Sequence, residues 1–389
     1  MPTPPPTMLS PDEARRWMLS ATGLGTFRRP SMPDFLAERR CIQLDPLDPI
    51  GANADLVTLA RTEATAGQLE AQTLPGHGFE HFAKERCLLP ASAWPAYRDQ
   101  VQATPQWRHS TRMKRLDPGI VEAVLAEVRD RGPVAVRDLS HRGAVEPQDW
   151  SGWKGTAKAA TLAIEVLWLQ CRVVVVGRGP RVVDLPERAL PHQHRAPAPA
   201  SFARWALMER VEAMGLLPTA KGPCWGQIQA ERLDLSAQLL DEGALEAVTL
   251  PGTRKRWLAP AGFRDRPLAE QDDHLRILGP LDPLLWDRDL VHRVFGFRYV
   301  WEVYKPAAKR QYGWYVCPLL HRGRLVGRFE GRRRRDGTIE VLGLWPEEGF
   351  DPDAFDAALT RHAERLSGTG GTLSSRPHRE EVQIGRAHV

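Results

Sequence analysis

Cys171-Arg-Val-Val-Val-Val-Gly-Arg-Gly-Pro-Arg-Val-Val-Asp-Leu185 places two β-rich runs around a Gly-Arg-Gly-Pro turn, directly after a helical stretch over 154–170. Valine suits the pleated, half-buried surface of a strand, and the Gly-Pro punctuation closes a hairpin. Upstream, Ile120, Val121, Val124, Leu125 and Val128 recur at helical spacing until Gly132-Pro133 ends the run. The short stretch 134–139 reads as a brief second helix. The same order returns downstream. A helix over 202–214 ends at Gly215, another over 232–242 ends at Gly243, and Leu245-Glu-Ala-Val-Thr-Leu-Pro-Gly-Thr-Arg-Lys-Arg-Trp-Leu258 is again strand, Pro-Gly turn, strand. Helix, helix, then a hairpin with Arg or Lys at its tip, occurring twice, is the order of a winged helix.

The flanking sequence extends this reading. The proline-rich start is expected to be without structure. Ser10, Pro11 and Glu13 form a helix-start signature for a helix to about Gly23. Further helices are expected over 32–41 and 53–63, and the Pro- and His-rich stretch 186–200 reads as a linker. From Leu278 the pattern turns to β, with strands expected over 297–304, 312–320, 324–330 and 338–344. A closing helix is expected over 353–366. The final Glu381-Val-Gln-Ile-Gly-Arg-Ala-His-Val389 matches nothing before it and reads as translated adapter sequence on a truncated gene.

Bulk properties narrow the functional classes. The 389 residues are 42% hydrophobic and 26% charged, with a formal charge of +5; any affinity for a polyanion must come from charge gathered on one face. The five cysteines are scattered and form no C-x-x-C pair, which argues against a disulfide framework, a zinc ribbon or an iron–sulfur cluster and fits a reducing cytosol. No apolar run approaches the roughly 20 residues a membrane helix needs, and the N-terminus lacks the pattern of a signal peptide. The expectation is a soluble, cytoplasmic protein.

Four stretches carry candidate chemistry. In Gln43-Leu44-Asp45 the two polar side chains share one side of an extended chain; a carboxamide and a carboxylate so placed can hold and polarise a water, although Asp before Pro is also a common turn-former. Glu80-His81-Phe82-Ala83-Lys84-Glu85-Arg86 matches no metal-binding spacing and reads as a solvated polar face. Arg332 to Arg335 is either a solvated hairpin tip or a phosphate contact. Lys305-Pro-Ala-Ala-Lys-Arg-Gln-Tyr-Gly-Trp-Tyr315 interleaves cations and aromatics, and Lys309 and Arg310 are read as phosphate ligands. Phosphate-loop and G-x-S-x-G motifs are absent from the sequence.

Three segments converge on a resemblance. Gln43-Leu44-Asp45, Gly279-Pro-Leu-Asp-Pro-Leu-Leu-Trp-Asp-Arg288 and, above all, Pro306-Ala-Ala-Lys-Arg-Gln-Tyr-Gly-Trp-Tyr-Val-Cys-Pro-Leu-Leu-His-Arg-Gly-Arg-Leu-Val-Gly-Arg328 resemble the bacterial winged-helix DNA glycosylases of the AlkZ/YcaQ type, over roughly Leu9 to Leu366. The resemblance implies an α+β chain of three tandem winged-helix units (9–115, 116–190 and 201–262) followed by a β-rich, barrel-like domain over 278–367. Residues 1–8 and 368–389 would be tails. It implies removal of N7-alkylated guanine, including unhooking of interstrand crosslinks, with Gln43 and Asp45 as the catalytic pair. Its Q-x-D pattern is that of the branch with broader specificity. Phe82-Ala83-Lys84-Glu85 stands where the family has Trp-Ala-His-Glu.

The implied chemistry needs little. An N7-alkylguanine is already cationic and departs without protonation, so a carboxylate that stabilises the sugar cation and activates a water is sufficient. No metal, other cofactor or lysine nucleophile is called for, and the expectation is a monofunctional, monomeric hydrolase on double-stranded DNA, associated with a bacterial nucleoid. Arg254 and Lys255, at the second hairpin tip, join Lys309, Arg310, Tyr312, His321, Arg322 and Arg324 as expected DNA-binding residues, and Asp45 is expected to stay ionised through neighbouring cations. The rival is a winged-helix transcriptional regulator without enzymatic activity, and a third reading is a structural DNA-binding protein. A carboxylate beside phosphates separates the first from both.

Overall fold

A computed structural model describes residues 5–103, 112–145 and 157–368; the expected tail from 369 onward and the start of the expected helix over 154–170 lie outside them. The chain has mixed α+β architecture with several sheets, and it divides into two compact units built from separated stretches. One comprises Met1–Ser31, Glu38–Leu69 and Ala206–Val389, and the other Met32–Ala37 and Glu70–Trp205.

In the unit of Glu70–Trp205, Asp117 caps the helix Pro118–Arg131 through its carboxylate and Pro118 opens it. The segment expected as a second helix begins instead as a strand, Val134–Ala135, followed by a single 3-10 turn, Val136–Asp138. Two β-branched valines around Ala135 favour that outcome. The helix Ala159–Leu169 is apolar around most of its circumference, and the hairpin Val174–Arg178 with Arg181–Asp184 pairs back onto Val134–Ala135. The expected linker over 186–200 contains two short helices, Pro186–Ala189 and Pro191–Arg195, each opened by a proline. The expected solvated face around Glu80 is a hairpin, Gly78–Phe82 with Arg86–Pro90, in which Glu80 and His81 are buried. Arg86 and Arg178 neutralise Glu80 at 2.8 and 3.2 Å.

In the other unit, Ser10 and Glu13 form the expected capping box on helix Pro11–Ala21. Order reaches further towards the N-terminus than the proline content implied, because Thr7–Met8 add a parallel strand beside Val248 and Thr249. The second helix–strand–helix–hairpin run contains the helix Phe202–Met214, which enters this unit at Ala206, then Leu217–Pro218, Arg232–Asp241, and the strands Leu245–Thr249 and Arg256–Pro260. The β-rich region is an open four-stranded antiparallel sheet rather than the expected barrel: Arg276–Ile277, Val316–His321, Arg324–Arg333 and Ile339–Pro346 pair in sequence order. Helix Pro352–Ser367 covers it, burying Phe355, Leu359 and Leu366 in one core with Leu319, Val326, Phe329, Ile50 and Leu56.

The expected strand over 297–304 does not form. Its aromatic composition serves packing instead: Phe297 and Tyr299 are buried and stacked at 6.4 Å, and the Tyr299 hydroxyl donates to the Val316 carbonyl at 2.7 Å.

Candidate active site

Gln43 ends the short strand Ile42–Gln43, and its backbone carbonyl accepts from Asn53 Nδ2 at 2.8 Å. Asn53 opens helix Asn53–Leu59 and is fully buried. Behind it lies Gly279. A Cβ at that position would fall 2.7 Å from Asn53 Oδ1 and 3.2 Å from Leu56 Cβ, so only glycine lets the backbone approach this helix. Three residues on, Asp282 is fully buried and pairs with both terminal nitrogens of Arg61 at 2.7 and 2.8 Å. Arg61 also reaches the carbonyls of Thr22 and Val57. The Gly279–Arg288 segment is thus the fastening behind Gln43, not a separate site.

Gln43 is only 7% exposed, so of the pair only Asp45, which is half-buried, has open surface. The Asp45 carboxylate accepts the Leu47 amide through Oδ1 at 2.9 Å, the turn geometry that Asp-Pro sequences favour. No group among the described residues hydrogen-bonds its Oδ2. Burial raises the carboxyl above its ordinary range, with the Leu47 amide opposing. This corrects the expected cause: desolvation, not a surrounding set of cations, controls Asp45. A carboxylate so shifted is a stronger base than a solvated one.

Beside this loop, Leu47 and Ile50 pack in the same core as Tyr315. Tyr315 is 1% exposed, and its hydroxyl has no partner among the described residues. Burial pushes its ionisation well above the usual range, and neighbouring Cys317 and Asp45 add to that.

The basic–aromatic stretch is organised by two carboxylates that sequence reading passed over. Glu302, buried, accepts the amides of Gln311 and Tyr312 at 2.8 Å each and the Lys305 ammonium at 2.7 Å. Its burial acts to raise the carboxyl, and these donors outweigh that effect and hold it low. Glu330 accepts the amides of Trp314 and Tyr315 at 2.7 and 3.0 Å. The available signal was an acidic residue inside an aromatic run; its pairing over a span of nine or more residues was not visible in the sequence.

The expected DNA contacts separate into different environments. Lys309 is exposed in the turn Ala307–Lys309, and Arg310 donates from Nε to the Lys305 carbonyl at 2.8 Å. Tyr312 lies beneath the Arg328 guanidinium, 4.4 Å from the ring centroid, and against Trp345. Arg324 and Arg254 are exposed and make no ion pair among the described residues. Arg322 is paired with Asp273 at 2.6 Å, and Lys255 with Asp289 at 2.9 Å. His321 differs from the rest. It is buried, with Nε2 3.0 Å from the Asp273 carbonyl, because it ends an inward-facing strand whose turn begins one residue later. Of the arginine run, Arg332 and Arg334 pair with Glu340.

The same unit holds a cavity of about 620 Å³ whose walls include Trp17, Arg28, Arg39, Arg266 and Leu268. Neither Gln43 nor Asp45 lines it, and its arginines are opposed by Glu38 and Glu212.

Comparison with known proteins bears on the same elements. The family model for "DNA glycosylase AlkZ-like" matches residues 36–368. Among solved structures, the chain is similar to the Streptomyces sahachiroi DNA glycosylase AlkZ, with a TM-score of 0.55 at 16% identity, over 98% of this chain and 100% of that one. At that identity the structural likeness speaks for the fold.

Proposed function

The chain belongs to the AlkZ-like family of DNA glycosylases, and from that premise we propose that it hydrolyses the N-glycosidic bond of N7-alkylated guanine in duplex DNA, including the unhooking of interstrand crosslinks. The observation that carries this reading is Asp45, a carboxylate raised by burial with one oxygen committed to a turn and the other uncommitted among the described residues, on a loop that follows the tethered backbone of Gln43. In the proposed reaction a water oxygen bonds to C1′ as the C1′–N9 bond breaks. The bonding pair leaves with N9, which neutralises the cationic base, and the water's proton passes to Asp45. Gln43 orients that water without adding charge. No amine nucleophile enters, so the strand is left with an abasic site rather than cut. A crosslinked base is tied to both strands, which favours reaction within the helix over extrusion.

We further read the two helix–strand–helix–hairpin runs as winged helices, with the segment before them supplying a third. The exposed cations of the β-rich region and of the hairpin tip, chiefly Lys309, Arg324 and Arg254, with the half-buried Arg310, serve as phosphate contacts on one concave face, with Tyr312 supporting them and Lys255 and Arg322 lending charge. The test is incubation with duplex DNA bearing 7-methylguanine, with chromatography of the released base and gel analysis of the strand. Free 7-methylguanine from an uncut strand is the expected result. Tight DNA binding without release would favour a regulator and sink the proposal.

A further inference from the structure

The site described above leaves one buried polar atom unexplained. Tyr315 Oη lies inside the fold with no hydrogen-bond partner among the described residues, although a buried hydroxyl without one costs free energy and such groups are few in folded proteins. Nothing about its surroundings is loose. Glu330 fixes the backbone on its N-terminal side through the amides of Trp314 and Tyr315. That carboxylate stands so close to Gly313 that a Cβ there would collide with Glu330 Oε2. On the other side, Tyr299 holds the Val316 carbonyl at 2.7 Å. The ring meets Trp301 edge-on at 6.3 Å and Trp314 at 6.2 Å. A rigid mount therefore holds an oxygen without a partner among the described residues, in the core that carries Leu47 and Ile50, two residues that follow Asp45 in its loop. Among its neighbours, Asp45 and Asp48 are the carboxylates whose charge reaches the hydroxyl.

Resting on the function proposed above, we propose that Tyr315 is a positioning residue: its hydroxyl donates to the attacking water and fixes that water's orientation between Asp45 and Gln43. The hydrogen-bond inventory of a water molecule fits this assignment. Its two protons are taken by the Asp45 carboxylate and the Gln43 carboxamide oxygen, and one lone pair accepts from Tyr315. The remaining lone pair points at C1′. Without the third contact the water can rotate about the axis defined by the other two, and fewer of its orientations present a lone pair to carbon. Trp301 deepens the wall on this side; its indole Nε1 is likewise buried without a partner among the described residues, and its ring leads outward to Tyr304, which is 88% exposed.

The experiment compares wild type, Tyr315→Phe and Asp45→Asn under single-turnover and steady-state conditions with 7-methylguanine duplex. Tyr315→Phe removes one oxygen and keeps the ring. Because that oxygen has no partner among the described residues, Tm is expected to stay level or rise, while kcat falls about tenfold, the scale of one hydrogen bond of ~1.4 kcal/mol, with KM and the dissociation constant for DNA unchanged. The pH profile should keep its shape, since Asp45 still sets the acid limb. A fluorotyrosine at Tyr315, which retains the hydroxyl, should restore the rate to within about twofold. Should kcat be unaffected by Tyr315→Phe while Asp45→Asn is slow, the Tyr315 assignment is wrong and the function stands. A rate loss accompanied by a large drop in Tm, with fluorotyrosine restoring both together, would also overturn it by making the hydroxyl structural. A wild-type protein that releases no base would overturn both readings together.

Discussion

Asp45 does two things that sequence reading held apart. It is the turn-former that Asp-Pro predicts, through the Leu47 amide, and it is a carboxylate raised by burial. The two roles separate on substitution. Asp45→Asn keeps an oxygen for the turn but cannot accept the water's proton, so release of 7-methylguanine should fall by about 10²–10³, the scale of losing one preorganised electrostatic contact. Gln43→Ala should cost less in rate, because water replaces a neutral orienting group in part. The pH dependence follows from the direction of the shift. A carboxyl raised in the folded state contributes stability that is complete below its ordinary pKa and is lost as pH rises through the raised one. At pH 7 the wild type therefore carries the cost of an ionised, desolvated Asp45 and Asp45→Asn does not, so the variant should melt at an equal or higher temperature. The wild-type rate should have an acid limb above the usual aspartate range, absent from Asp45→Asn. A variant that melts early and keeps its rate would make Asp45 a turn residue alone.

At the scale of elements, the hairpins, the capped helices and the closing helix were legible because each is written locally, in periodicity, caps and turn residues. The strand expected over 297–304 was not, since Phe297, Tyr299 and Trp301 satisfy a β pattern while their rings are spent on packing beneath Val316–His321. Gln43 and Asp45 were readable as a pair through the family resemblance. The elements that hold them were not, because Asn53, Gly279, Arg61 and Asp282 meet only in three dimensions. Asp282 is the test of that support. Its carboxylate is fully buried against Arg61, and removing one partner of a buried ion pair leaves the other charged and uncompensated, at a cost of about 3–5 kcal/mol. Asp282→Ala should lower unfolding stability by that amount in urea titration, with the rate of base release by the folded fraction falling as the backing of Gln43 loosens. A change below about 1 kcal/mol would mean that Arg61 finds other partners, and that the segment is not the fastening described.

For the whole molecule, a formal charge of +5 is too small to bind DNA by itself, so affinity must rest on cations left free to meet phosphate. Composition does not identify them; we propose that they are the cations without an ion pair among the described residues. Among the expected contacts, Arg322 and Lys255 are held by Asp273 and Asp289, and His321 is buried. Arg254, Lys309 and Arg324 are exposed and carry no ion pair among the described residues. Each phosphate neutralised in B-DNA releases condensed counterions and adds about −0.9 to the slope of log K against log salt. Replacing Lys309 or Arg324 by Ala should therefore weaken binding to any duplex sequence and make the slope shallower by about 0.9 for each residue. Arg322→Ala and Lys255→Ala should change it less, because binding there must first break a carboxylate pair, and His321→Ala should leave the slope alone while lowering stability. The measurement is fluorescence anisotropy on an undamaged duplex from about 50 to 200 mM salt, a range over which several phosphate contacts change affinity by orders of magnitude. Equal slopes for wild type, Lys309→Ala and Arg324→Ala would place the DNA elsewhere on the protein, and the β-rich region would lose its role as the phosphate-binding face.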